Sequence, residues 1–96
     1  MATVTFQTLV CNHSLGIVTL KFQSHTVWGP SGMTAHTPVT INVNRSYSTT
    51  STVILSIQTS TGQTRSADDS LSTSAGSQPL SFKFGTTTYT LSCHVS

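Results

Sequence analysis

The chain has 96 residues, of which 6% are charged: two Lys, two Arg, two Asp and no Glu. That is far below the about 25% of a typical soluble protein, and it excludes a charged helical bundle or coiled coil. A net charge of +2 excludes high-charge disorder, four scattered cations are too few to hold many nucleic-acid phosphates, and no apolar run approaches the ~18 residues of a membrane span.

Ser and Thr fill the gap, with 16 and 19 copies. The length is that of one domain spanning residues 1–96. Period-two alternation of apolar and polar residues runs through most of it, the signature of half-buried strands.

In residues 3–10, Val4, Phe6 and Val10 share a face. Residues 16–28 place Val18, Leu20 and Phe22 together, with Thr19 and Lys21 opposite, in one bent strand or in two broken near Ser24. Residues 29–37 read as a loop, because Gly29-Pro30 and Gly32 punctuate them and Pro38 follows. In residues 38–44, Val39, Ile41 and Val43 alternate with Thr40, Asn42 and Asn44. After a short polar loop over 45–51, Val53, Leu55 and Ile57 mark a further strand. Residues 60–79 read as a long loop, with at most one helical turn over 67–75. Leu80, Phe82 and Phe84 then alternate with Ser81 and Lys83. A tight hairpin through Phe84-Gly85-Thr86-Thr87 leads to the last strand, where Tyr89, Leu91, Cys93 and Val95 share a face. No 3.6-residue period survives. The expected fold is all-β: a compact antiparallel β-sandwich of six to seven strands, each sheet apolar inside and polar outside.

Cys11 and Cys93 lie near the two chain ends. A bridge between them would close a loop of roughly 83 residues and add about 4.6 kcal/mol in the chain-entropy picture. A domain this small benefits from such a staple. The bridge, the low charge and the Ser/Thr richness together suggest a secreted or extracellular protein. Met1 begins no recognisable signal peptide. Asn12-His13-Ser14 and Asn44-Arg45-Ser46 match the glycosylation acceptor pattern, a weak signal in so Ser/Thr-rich a chain.

Catalysis finds little support. The only carboxylates, Asp68 and Asp69, are neighbours, whereas paired acid–base work needs two across a cleft. His13, His25, His36 and His94 show no zinc spacing, and no metal or cofactor is expected. Trp28 is the only tryptophan. Its register continues the core face, yet an indole beside Gly and Pro is also a platform for a sugar ring. The expectation is therefore a non-catalytic, lectin-like module binding glycans or a cell surface. Trp28 would stack on the sugar, and Asn42, Asn44, Asp68 and Asp69 would meet its hydroxyls. The alternative is a secreted effector, toxin component or inhibitor that docks a protein or membrane lipid through loops or edge strands. An exposed edge could also pair with its twin to give a homodimer.

Overall fold

The computed structural model describes residues 1–96. Nine strands form, in order β1 (Ala2–Cys11), β2 (Ile17–Phe22), β3 (His25–Ser31), β4 (Val39–Tyr47), β5 (Ser51–Gln58), β6 (Thr64–Leu71), β7 (Gly76–Ser77), β8 (Leu80–Phe84) and β9 (Thr87–Val95). One sheet has the order β4-β1-β9, with β7 and β8 both on the outer side of β9. The other has the order β3-β2-β5-β6. Every pairing is antiparallel, and the two sheets pack as a β-sandwich. No helix is long and apolar enough to cross a membrane.

The alternation read from the sequence becomes the core. Val18, Leu20 and Phe22 of β2 face Val53, Leu55 and Ile57 of β5 in register, and all six are buried. Leu80, Phe82 and Phe84 pair in the same way with the β9 face. Between the layers, the Phe22 ring meets Phe6 at 5.4 Å and Tyr47 at 5.4 Å, both edge-on. Such aromatic pairs contribute about 0.5–1.5 kcal/mol beyond their buried area.

The first strand departs from simple alternation. Phe6 pairs with Cys93 and Thr8 with the adjacent Ser92, so Gln7 is an extra residue on β1. The bulge flips the phase: Val4 and Phe6 point inward, then Leu9 and Cys11, while Val10 moves to the outer face. Val10 therefore does not share the Val4 and Phe6 face, because one inserted residue exchanges the two faces of a strand.

That register also removes the expected disulfide. Both cysteines are free and buried. Cys11 lies opposite Tyr89, four residues along β9 from Cys93, which is about 13 Å. A disulfide needs Cα atoms within ~7 Å. The chain ends are indeed adjacent, but backbone ladders and the core hold them, with Thr3 and Ser96 each donating a backbone hydrogen bond to the other's carbonyl, at 3.0 and 2.9 Å.

Three expected loops are shorter than the sequence suggested. Residues 60–79 hold β6 and β7 rather than a loop or helical turn, because β6 pairs with β5 over eight consecutive residues despite its polar composition. β3 runs through Gly29 and Pro30 to Ser31, and β4 extends to Tyr47. The break near Ser24 is a two-residue hairpin in which Gln23 and Ser24 both adopt positive φ, 51° and 66°. Neither residue is a usual choice there, so the turn carried no glycine signal. The 84–87 hairpin forms as expected, with Gly85 at φ 66°.

Two outcomes follow from the buried thiols. Alkylation in denaturant without reductant adds two groups per chain, and reductant leaves the melting temperature unchanged; a mass showing no free thiol would contradict this register. Burial also pushes the Cys93 thiol up to about 12, and burial raises Cys11, Tyr47 and Tyr89 above their ordinary values. The fold thus holds these protons more tightly than the unfolded chain does. The stabilisation is complete below about pH 9 and is lost as pH rises toward 12. Urea midpoints should fall steeply across that interval, and less so for Cys93→Ala.

Candidate functional site

The five residues expected to bind a ligand are divided between two sides of the sandwich. Trp28 lies on β3, and Asn42 and Asn44 lie on β4. These are the edge strands that approach each other on one open side. Asp68 and Asp69 lie on β6, three strand spacings from β3, or about 14 Å. Trp28 and the two asparagines thus lie on strands at the same margin of the sandwich, Trp28 in an inward register position and Asn44 facing outward, and the carboxylates lie apart from them.

Register shows that the members of the first group share a level. The Phe22 end of β2 touches Phe6 and Tyr47, and its other end leads back to Leu15, whose amide donates to the Tyr89 hydroxyl at 3.2 Å. β3 therefore runs from His25 toward the end where Cys11 and Tyr89 pair, and β4 read backward from Val43 runs the same way. Trp28 lies opposite Leu20, and Ile41-Asn42 lie just past Val43, so both stand near the middle of this open side.

Trp28 is held in place from beneath. Its partner Leu20 is fully buried, and the indole packs on the core while remaining half-exposed. Gly29 follows at φ 88°, where a Cβ would lie 2.2 Å from the Val18 carbonyl oxygen. Only glycine allows β3 to approach β2 that closely. Pro30, after a cis bond, keeps an amide N–H off this edge. Across the gap, Val39, Ile41 and Val43 are only half-buried against the core.

β4 contributes a second bulge. Between the pairs Phe6–Val43 and Thr8–Thr40, β1 has one residue and β4 has two. Asn42 absorbs the mismatch at φ 55°, exposed. Asparagine tolerates this left-handed conformation better than other non-glycine residues. Its neighbour Asn44 faces outward and accepts a 2.7 Å hydrogen bond from the Thr5 hydroxyl at its Oδ1, which leaves its amide hydrogens directed to solvent.

The carboxylates do different work. Asp69 occupies an inward register position opposite buried Val53. Its Oδ1 accepts from the Ser70 amide at 2.8 Å and its Oδ2 from the Ser81 amide at 3.1 Å. Ser81 belongs to β8 in the other sheet, so one side chain ties the two layers together at their edge. Asp68 points outward and is exposed. Arg65 stands four residues from Asp69 on the same face of β6, about 13 Å, too far to pair.

Two further side chains matter, Gln78 and Tyr47, and Gln78 had no pattern to mark it. Gln78 accepts from the Ser72 amide and donates to the Ser72 and Ser74 carbonyls at 3.1, 3.1 and 2.7 Å, which fixes the crossing from β6 to β7. The Tyr47 hydroxyl donates to the Ser72 carbonyl from the other layer. Asn12, one of the two acceptor-pattern asparagines, accepts from the Thr88 amide at 2.9 Å and donates to the Thr86 carbonyl at 3.2 Å, so it pins the last hairpin. All four histidines are exposed, and no three His, Cys, Asp or Glu side chains converge on one point.

Asp69→Ala should destabilise the fold by about 1–2 kcal/mol, because two backbone donors lose a charged acceptor. Asp68→Ala should stay within about 0.5 kcal/mol of the parent chain. Chemical denaturation measures both, and equal effects would contradict the division of roles. Compared with known proteins, the chain matches no protein-family model, no curated protein and no solved structure.

Proposed function

We propose that the chain is a non-catalytic, lectin-like recognition module that binds glycans along the β3–β4 side. One observation carries this reading. Of seven aromatic side chains, the four Phe and two Tyr are buried, and Trp28 alone reaches solvent. An indole fixed from beneath offers an apolar face to the C–H face of a sugar ring and an N–H to a hydroxyl. Asn42 and the free amide hydrogens of Asn44 supply orienting polar groups on the same side. Asp68 and Asp69 have no part in this site. Recognition of glycans on a cell surface places the protein outside the cell in this reading.

The second reading, a secreted effector, toxin component or inhibitor that docks a protein, draws on the same side. There β3 and β4 each leave one row of backbone groups without a strand partner.

A glycan array followed by fluorescence titration separates the two, since the single tryptophan reports its own surroundings. Bound sugar should shift Trp28 emission, and Trp28→Ala should lower affinity at least tenfold. Asn42→Gly, which keeps the positive φ while removing the amide, should weaken binding severalfold without lowering stability. A silent array, or sugar binding that leaves Trp28 emission unchanged and survives Trp28→Ala, rules out the lectin reading.

A further inference from the structure

The six charged side chains have a spatial pattern. Arg45 lies on β4, Arg65, Asp68 and Asp69 on β6, and Lys83 on β8, all edge strands. Charges are expected there, because they discourage a second chain from adding to the sheet. Lys21 is the exception. It lies on β2, inside its sheet, on the outward face and exposed.

Its neighbours give the position a meaning. Lys21 pairs across the ladder with Ile54, and Ile54 pairs with Asp68. One row of this outer face thus reads cation, apolar, anion, with the charges two strand spacings apart, about 9–10 Å. Ile54 is 39% exposed and Ile17, on the same face, 46%; apart from Met1 they are the exposed large hydrophobic residues of the chain. The next row across β5 and β6 is Ser56 and Ser66, small enough for close approach.

A row of this kind is complementary to itself. A two-fold axis lying in the plane of contact, along β5 and through Ile54, carries each Lys21 onto the Asp68 side of the other copy. The two Ile54 side chains then meet on the axis, and Ile17 faces Thr64 of the second copy. Sheets packed face to face cross at about 30°. An axis inclined by about half that angle to β5 satisfies the crossing, and long Lys side chains absorb the offset.

We propose that the outer face of the β3-β2-β5-β6 sheet binds a second copy of this chain as a weak two-fold dimer, set by reciprocal Lys21–Asp68 pairs around Ile54. The face covers roughly 500 Å² per copy, from four strands of about eight residues. That is below the ~800 Å² per partner of a standard interface, so the association is transient. It uses neither Trp28 nor the β3–β4 side, and it stands or falls independently of glycan binding.

Sedimentation velocity from about 10 μM to 1 mM tests it. The weight-average mass should climb from 10.2 kDa toward twice that value. Lys21→Asp and Asp68→Lys should each weaken association at least tenfold, and the double exchange should restore it. Far-UV circular dichroism verifies folding, and Lys21→Gln serves in place of Lys21→Asp if the reversal does not fold. A constant mass of 10.2 kDa throughout overturns the dimer. Self-association that ignores the single substitutions, or a folded double exchange that remains monomeric, overturns it equally.

Discussion

Phe22 joins the two layers. It reaches from β2 to meet Phe6 and Tyr47 edge-on, at the level where the first strand of one sheet crosses the second strand of the other. With six charges in 96 residues, almost nothing else could bring the sheets together. A single cluster of 22 buried apolar residues fills the space between them. Its placement depends on β1 changing phase at Gln7, which puts Leu9 and Cys11 in the layer that Val4 and Phe6 begin. Hydrophobic burial is non-directional; here the ladder register decides which side chains receive it.

The sheet margins follow from the same scarcity of charge. Arg45, Arg65 and Asp69 occupy inward register positions on edge strands, where a charge obstructs further pairing. β3, a margin without a charge, carries Pro30 and two register shifts instead. Asp69 goes further and covers an outward-facing amide of β8. A chain so rich in strand-forming Thr, Val and Ile would otherwise invite indefinite lateral addition, and its few ionic groups lie mostly where that addition would start.

The sequence was clearest where one ladder followed another without interruption. Val53, Leu55 and Ile57, and the run from Leu80 to Val95, declared their faces by alternation alone, and the sandwich follows from them. It was least clear at β6. That strand's inward positions hold Arg65, Ala67 and Asp69 before reaching Leu71, so the period-two pattern is too weak to read although the pairing is complete. The Gln7 bulge left only a subtle trace, Leu9 and Cys11 out of step with Phe6. The cysteine pairing failed although the ends are close: adjacency of two strands does not place two given residues opposite each other. At the candidate site, the indole and the two asparagines were legible as residue types. Their placement on strands at one margin, and the diversion of Asp69 to a structural contact, required strand order, which alternation does not encode.

The paired bulges also impose a difference in path length. From Val4 to Leu9 is five steps along β1; the partners on β9, Val95 to Leu91, take four, and those on β4, Arg45 to Val39, take six. Over one stretch of sheet the outer strand is thus longer than the inner one by two residues, about 7 Å. The surplus is taken up locally, at Gln7 on β1 and at Asn42 on β4, and each bulge raises the right-handed twist of the sheet where it occurs.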